Sequence, residues 1–241
     1  MTRTIFVTGT DTGVGKTTVS VGLLGAWRRR HLRLAALKPA ETGCMPRHDE
    51  TLWPEDAGRL REAAGQIDTP ISLVCPNRYA LPAAPSVAGR REQRPFDLNA
   101  VIRARDTMIQ TAPDLLLVEG AGGLLVPYGN GATAVDLALA LAPLAMLIVA
   151  RAGLGTINHT ALTVAELRRR DLRIAGVVLN RVHAESDPSE ADNAAEIQTL
   201  TGVPVLGTLP HLPAAEAADL ATLTHAVERA LDVDALFESL A

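Results

Sequence analysis

Residues Gly9-Thr10-Asp11-Thr12-Gly13-Val14-Gly15-Lys16-Thr17 combine glycines, a lysine and a hydroxyl at a spacing that suits a polyphosphate. Glycines between a strand and a helix let backbone N–H groups turn toward phosphate oxygens, and the helix N-terminus adds partial positive charge. Lys16 then reaches the outer phosphates, and the Thr17 hydroxyl suits the magnesium ion that accompanies a nucleoside triphosphate. The strict pattern has glycine five positions before Gly15; Thr10 stands there and Gly9 precedes it, so the loop is a variant. A glycine turn that merely packs helix on strand would not call for Gly15-Lys16-Thr17 in that place.

Magnesium on a triphosphate also needs carboxylates. Glu119 follows the apolar run Asp114-Leu115-Leu116-Leu117-Val118 and directly precedes Gly120-Ala121-Gly122-Gly123, so it reads as a metal-side carboxylate at the end of a strand. Asp56, in Pro54-Glu55-Asp56, has two readings: a second metal-side carboxylate, or an acidic residue favoured by a helix start. Lys38, ahead of Pro39, either points into the same crevice to stabilise transferring phosphoryl charge or snorkels at the surface. Asn180 either offers its amide to a base edge or forms a turn. Arg28 to Arg30 and Arg168 to Arg170 close helical stretches, where cations favour the dipole. His159 and His211 lack partners at metal-ligand spacing.

Positioning these groups requires strands that end together. The segments Thr4 to Thr8, Leu34 to Leu37, Leu115 to Val118, Ala145 to Val149, Ile174 to Leu179 and Val205 to Gly207 read as strands. Helical stretches at Thr17 to Arg30, Glu55 to Ala64, Leu98 to Gln110, Asn158 to Arg170 and Ala191 to Leu200 separate them, and a final one runs from Ala217 to Leu240. This alternation predicts an α/β fold, a P-loop NTPase-type parallel sheet with helices on both faces. The ligand crevice of such a sheet lies beyond the carboxyl ends of the strands, where the candidate residues fall. Asp68 to Arg94, rich in Pro and Ala, reads as an ordered excursion.

A chain of 241 residues with 47% hydrophobic and only 3% aromatic residues predicts one domain, residues 1–241, packed by Ala, Leu and Val. A net charge of -4 gives no footprint for nucleic acid or an anionic membrane. The run Leu137 to Ala150 is too short to span a bilayer and contains Pro143. The N-terminus lacks a signal-peptide pattern, and Cys44 and Cys75 form neither a disulfide framework nor a metal cluster, which together predict a reduced, cytoplasmic setting.

With these positions in hand, the chain resembles the dethiobiotin synthetase family, the ATP-dependent ring-closing enzymes of biotin biosynthesis. The resemblance spans most of the chain. It rests on Thr8 to Thr17, Lys38-Pro39 with Thr42-Gly43, Val118-Glu119-Gly120-Ala121-Gly122-Gly123, Leu154-Gly155-Thr156-Ile157-Asn158-His159 and Gly176-Val177-Val178-Leu179-Asn180. It implies conversion of 7,8-diaminopelargonic acid and CO2 to dethiobiotin through a carbamate that ATP phosphorylates. It implies that Lys16 and Lys38 flank the phosphoryl charge and that Thr17, Asp56 and Glu119 hold Mg2+. Nucleotide contacts would come from Asp11, Thr12, Gly13, Val14, Gly15, Lys16, Thr17, Thr18, Glu119 and Gly122, with Asn180, Pro210 and Leu212 at the adenine. Substrate contacts would come from Thr12, Lys38, Thr42, Gly122 and Gly123. Leu154, Gly155, Thr156 and Asn158 would close the substrate site from a neighbouring subunit, so the resemblance implies a homodimer. Some members carry glutamate where this chain has Gly13 and histidine where it has Ser86, so neither side chain is given a role.

Two other readings have weaker support in the residues. A partition-type switch ATPase would carry a second lysine near the start of the loop, where Asp11 and its neighbours offer none, and the final stretch is acidic. A cobyrinic acid amidase would need a glutamine-hydrolysing domain with its Cys and His pair.

Overall fold

The computed structural model describes residues 2–47, 51–185 and 187–241. The short aliphatic runs form strands β1 (Arg3–Gly9), β2 (Leu34–Leu37), β3 (Leu115–Gly123), β4 (Ala145–Arg151), β5 (Arg173–Asn180) and β6 (Val205–Leu209). They pair in parallel as one 6-stranded sheet in the order β6-β5-β4-β1-β3-β2. Chain order reverses around β1, so a crevice opens beyond its carboxyl end, between the ends of β3 and β4. The longer helices are α1 (Lys16–Arg29), α2 (Glu55–Ala63), α3 (Leu98–Gln110), α4 (Ala134–Ala140), α5 (Thr156–Arg169), α6 (Glu190–Thr201), α7 (Leu220–Ala230) and α8 (Val233–Ser239).

Side chains alternate across a pleated strand, so each strand feeds two cores. Ile5, Val7, Leu115, Leu117, Leu147 and Val149 pack under α1, α2, α7 and α8. Phe6, Leu116, Val118, Met146 and Ile148 pack against α3, α4, α5 and α6. The fold is the α/β architecture expected from the sequence, with helices on both faces.

Two local expectations need correction, and one helix, α4, is additional to those expected. β3 does not stop before the glycines: it continues through Gly123, whose partner in β1 is Gly9, and the Tyr128 hydroxyl accepts the Ala121 N–H at 2.8 Å. Glu119 therefore lies inside a strand. The final stretch is not one helix but Ala214–Ala218, α7 and α8, because the Asp219 and Asp232 carboxylates accept the Thr222 and Ala235 N–H groups and restart the helix each time. The apolar run from Leu137 divides between α4 and β4; the start of α4 is a Thr133–Asp136 capping box, a signal already present in the sequence. Among the described residues no helix is long and apolar enough to cross a membrane.

The excursion from Asp68 to Arg94 is ordered and supports one edge of the sheet. Helix Ile71–Val74 ends where the Val74 carbonyl accepts the Lys38 N–H at 2.8 Å, and strand Asn77–Tyr79 pairs in parallel with Ala40–Thr42. The Gln66 side chain accepts the Ala36 N–H of edge strand β2 at 2.8 Å. These contacts fix the segment that carries Lys38.

Glycines let α1 and α7 approach closely. A Cβ on Gly22 would lie 2.3 Å from Val227 Cγ2, and one on Gly25 would lie 2.1 Å from Thr224 Oγ1. Gly22→Ala would favour an isolated helix by roughly 1 kcal/mol, yet the forced separation of the helices dominates, for a net loss of about 1–3 kcal/mol. Urea unfolding of the variant measures this, and a gain in stability would show that α7 yields freely.

Candidate active site

The phosphate loop owes its shape to two left-handed glycines, Gly13 at φ 75° and Gly15 at φ 91°, the latter at the N-cap of α1. Gly15 has a second reason to lack a side chain: an added Cβ would sit 2.0 Å from Asn180 Nδ2. Lys16 begins α1 and folds back so that its ammonium donates to the Asp11 carbonyl at 3.3 Å. It is buried, which disfavours its charge; the nearby Glu119 carboxylate offsets part of that loss and the Lys38 ammonium adds to it, leaving the Lys16 pKa lowered to about 8.

Strand alternation carries the rest of the charge to the same place. Residues 115, 117 and 119 share the face of β3 that lies under α1, and Lys38 continues the α1-facing alternation of Leu34 and Ala36 in β2. Glu119, fully buried, accepts the Thr17 hydroxyl at 2.8 Å and the Lys38 ammonium at 2.5 Å, both on Oε1. Lys38, only 4% exposed, also donates to Asp56 Oδ2 at 2.9 Å. Burial works against the Lys38 charge, but Glu119, Asp56 and Glu41 outweigh it and push its pKa up. Burial likewise opposes ionised Asp56, and Lys38 overrides it to hold that carboxyl below its usual range. Asp56 is thus in the cluster and is not a mere helix-start acid, while Lys38 is not a snorkelling surface residue.

Lys16, Thr17, Lys38 and Asp56 line a cleft of about 350 Å³ together with Thr12, Thr42 and Gly122, and Glu119 lies buried behind Lys38 and Thr17. Glu119 Oε2 is buried with no hydrogen-bond partner. An orphaned carboxylate oxygen beside the Thr17 hydroxyl and Asp56 is the hard-oxygen chemistry that Mg2+ accepts, with phosphates and water completing its shell.

Other candidates lie at the margins. Thr18 follows on α1, half-buried. Asn180 is buried and gives its amide to the Val14 carbonyl at 2.9 Å, so it braces the phosphate loop; Pro210 is its neighbour beyond the paired end of β6, and Leu212 packs on the α1-side core. Gly123 lines a second cleft with Thr12, Leu125, Val126, His159 and Leu162. Leu154, Gly155 and Asn158 are exposed, Thr156 is buried at the start of α5, and none of the four lines the phosphate cleft of its own chain. Cys44 and Cys75 are buried thiols, pushed up by burial, Cys44 to about 11.

Two neighbours of the site have no role in the sequence reading. Arg151, at the end of β4, pairs with Asp11 at 2.8 Å and tethers the loop tip. Glu41 lines the cleft, and burial raises its pKa to about 7 against the pull of Lys38. Its place three residues after Lys38, beyond a strand end, was the available signal.

The chain matches a family model described as an AAA domain over residues 3–219. It is 49% identical over 211 residues to the ATP-dependent dethiobiotin synthetase BioD of Anaeromyxobacter dehalogenans strain 2CP-C, covering 88% of this chain and 91% of that one. Its identity to the BioD of Rhodococcus erythropolis is 43%, covering 85% and 86%, and to that of Thermodesulfovibrio yellowstonii 37%, covering 86% and 88%. Among solved structures, the Aquifex aeolicus MinC:MinD cell division complex aligns at TM-score 0.56 and 13% identity, over 99% of this chain and 93% of that one. A ParA family ATPase from Chlorobium tepidum aligns at 0.53 and 15%, over 100% and 98%. Those two likenesses concern the fold alone, whereas the sequence relatives place this chain in the ATP-dependent dethiobiotin synthetase family.

Proposed function

We propose that the chain closes the ureido ring of dethiobiotin from 7,8-diaminopelargonic acid and CO2, with ATP converted to ADP and phosphate. The observation that carries this reading is the presence of two lysines, Lys16 and Lys38, in one cleft that has no Ser, Cys or His among the described residues lining it. A phosphoryl acceptor must then come from substrate. One amine attacks CO2 and loses a proton, forming a carbamate; a carbamate oxygen attacks the γ-phosphorus and ADP leaves. The second amine then attacks the carbamoyl carbon, expelling phosphate and closing the ring.

The protein's part is position and charge. The amides around Gly13 and Gly15 cradle phosphate oxygens, Lys16 and Lys38 offset the charge of the transferring group, and Thr12 and Thr42 flank the substrate side. Thr17, Asp56 and Glu119 would hold Mg2+, which when bound supplies positive charge to the phosphate oxygens. Asn180, Pro210 and Leu212 lie on the adenine side, and the reaction belongs in the cytoplasm.

The substrate site is completed by a second copy of the chain. Leu125, Leu154 and Leu162 are 61%, 79% and 62% exposed, and Leu125 and Leu162 flank the cleft that contains Gly123 and shares Thr12 with the phosphate cleft. Exposed leucines beside an incomplete site favour a covering partner. That partner would bring its own Leu154 to Asn158 segment to the diamine.

Purified protein should release phosphate from ATP only when the diamine and bicarbonate are both present. Equal hydrolysis without the diamine would favour a switch ATPase. Leu162→Glu should convert dimer to monomer in sedimentation runs and remove diamine-dependent turnover while ATP binding persists; an unchanged dimer would refute this interface. Lys16 generates a pH prediction. Its pKa near 8 in the free protein must rise when phosphates arrive, so binding above pH 8 takes up a proton and apparent ATP affinity falls as pH rises, by up to about tenfold per unit. Calorimetry at pH 9 in buffers of different ionisation enthalpy should report uptake approaching one proton, absent in Lys16→Ala.

A further inference from the structure

We infer that Glu41 is a positioning residue that fixes the backbone beneath Asp56 and so sets where the Asp56 carboxylate meets the metal-bound nucleotide. The inference rests on the proposed role of Asp56 as a metal ligand.

Helix α2 starts without a cap of its own. Pro54 occupies the N-cap position and supplies no side-chain acceptor. The orphan N–H groups of the first turn need an acceptor, since a buried, unpaired donor is unfavourable. Glu41 supplies it from 15 residues away: its Oε1 accepts the Asp56 N–H at 3.0 Å and its Oε2 accepts the Ala57 N–H at 2.9 Å. Both carboxylate oxygens are thus used on consecutive amides, one of them belonging to Asp56 itself.

The anchor is firm on its own side. Glu41 is 7% exposed and sits within Ala40–Thr42, which pairs with Asn77–Tyr79, while the Asn77 amide donates to the Pro39 carbonyl at 3.0 Å. Between the two residues, Met45–Pro46 pairs with Leu52–Trp53 and the Cys44 N–H donates to the Tyr79 carbonyl, but it is Glu41 that reaches the Asp56 amide. Asp56 is therefore gripped twice from the Lys38–Thr42 segment: its amide by Glu41, its carboxylate by Lys38. A group that orients a metal ligand without touching the metal affects metal affinity by roughly 10–100-fold when removed.

The test is ATP binding by calorimetry, first in EDTA and then with increasing MgCl2, on wild type, Glu41→Ala, Glu41→Gln, Asp56→Ala and the Glu41→Ala/Asp56→Ala double variant. Thermal unfolding accompanies each. Glu41→Ala should raise the Mg2+ midpoint roughly tenfold, a larger change than in its metal-free affinity. Glu41→Gln keeps one carbonyl acceptor and should fall between, which also covers the case of an alanine variant that does not fold. The double variant should shift no further than Asp56→Ala alone. An equal loss of affinity with and without Mg2+ would mean a purely structural role and overturn the inference. A Mg2+ midpoint unmoved in both Glu41 variants but shifted in Asp56→Ala overturns it while leaving the metal reading intact. An unmoved midpoint in Asp56→Ala overturns both.

Discussion

The site depends on one buried ammonium held between two carboxylates. Lys38 contacts Glu119 and Asp56, and all three come from different elements: the end of β2, the interior of β3 and the first turn of α2. Desolvating Lys38 and Glu119 is expensive, and removing one partner of such a buried pair typically costs about 3–5 kcal/mol, whereas the Asp56 side chain is 42% exposed. The surrounding structure is arranged to meet that cost. The Thr17 hydroxyl serves Glu119, Glu41 holds the Asp56 amide, and the excursion through Val74 and Asn77 fixes the backbone on either side of Lys38.

The two lysines are tuned apart by these neighbours. Lys38 faces carboxylates and keeps its charge, so it is a fixed cation over the working range of pH. Lys16, buried and without a salt-bridge partner among the described residues, has its proton loosened to about 8. A polyphosphate supplies the counter-charge that Lys16 lacks. One ammonium thus organises the apo site, and the other is completed by the ligand.

The loop is braced from both flanks. Asn180 at the end of β5 holds the Val14 carbonyl, and Arg151 at the end of β4 pairs with Asp11. Both strands end at the crevice, so anything that reorders the segments after them bears on the phosphate loop. The segment after β4 carries Leu154, whose N–H is held by Asp187 at 2.8 Å. The phosphate loop and the Leu154 segment therefore share one set of strand ends.

The sequence by itself determined the alternation of strands and helices, the phosphate loop and the presence of lysines and acids at strand ends. Those features are local: period-2 and 3.6 patterns, and a glycine-lysine-threonine spacing that needs no distant contact. It could not decide whether Asp56 capped a helix or joined a cluster, because the Lys38 contact spans 18 residues and depends on how the start of α2 folds back over the end of β2. It placed Glu119 at a strand end, whereas pairing of Gly123 with Gly9 carries β3 past it and turns the carboxylate inward under α1. It left Glu41 unremarked, since a carboxylate reaching an amide 15 residues away has no local signature. Burial decided the rest: the same ammonium is charged or easily deprotonated according to which carboxylates the tertiary fold sets beside it.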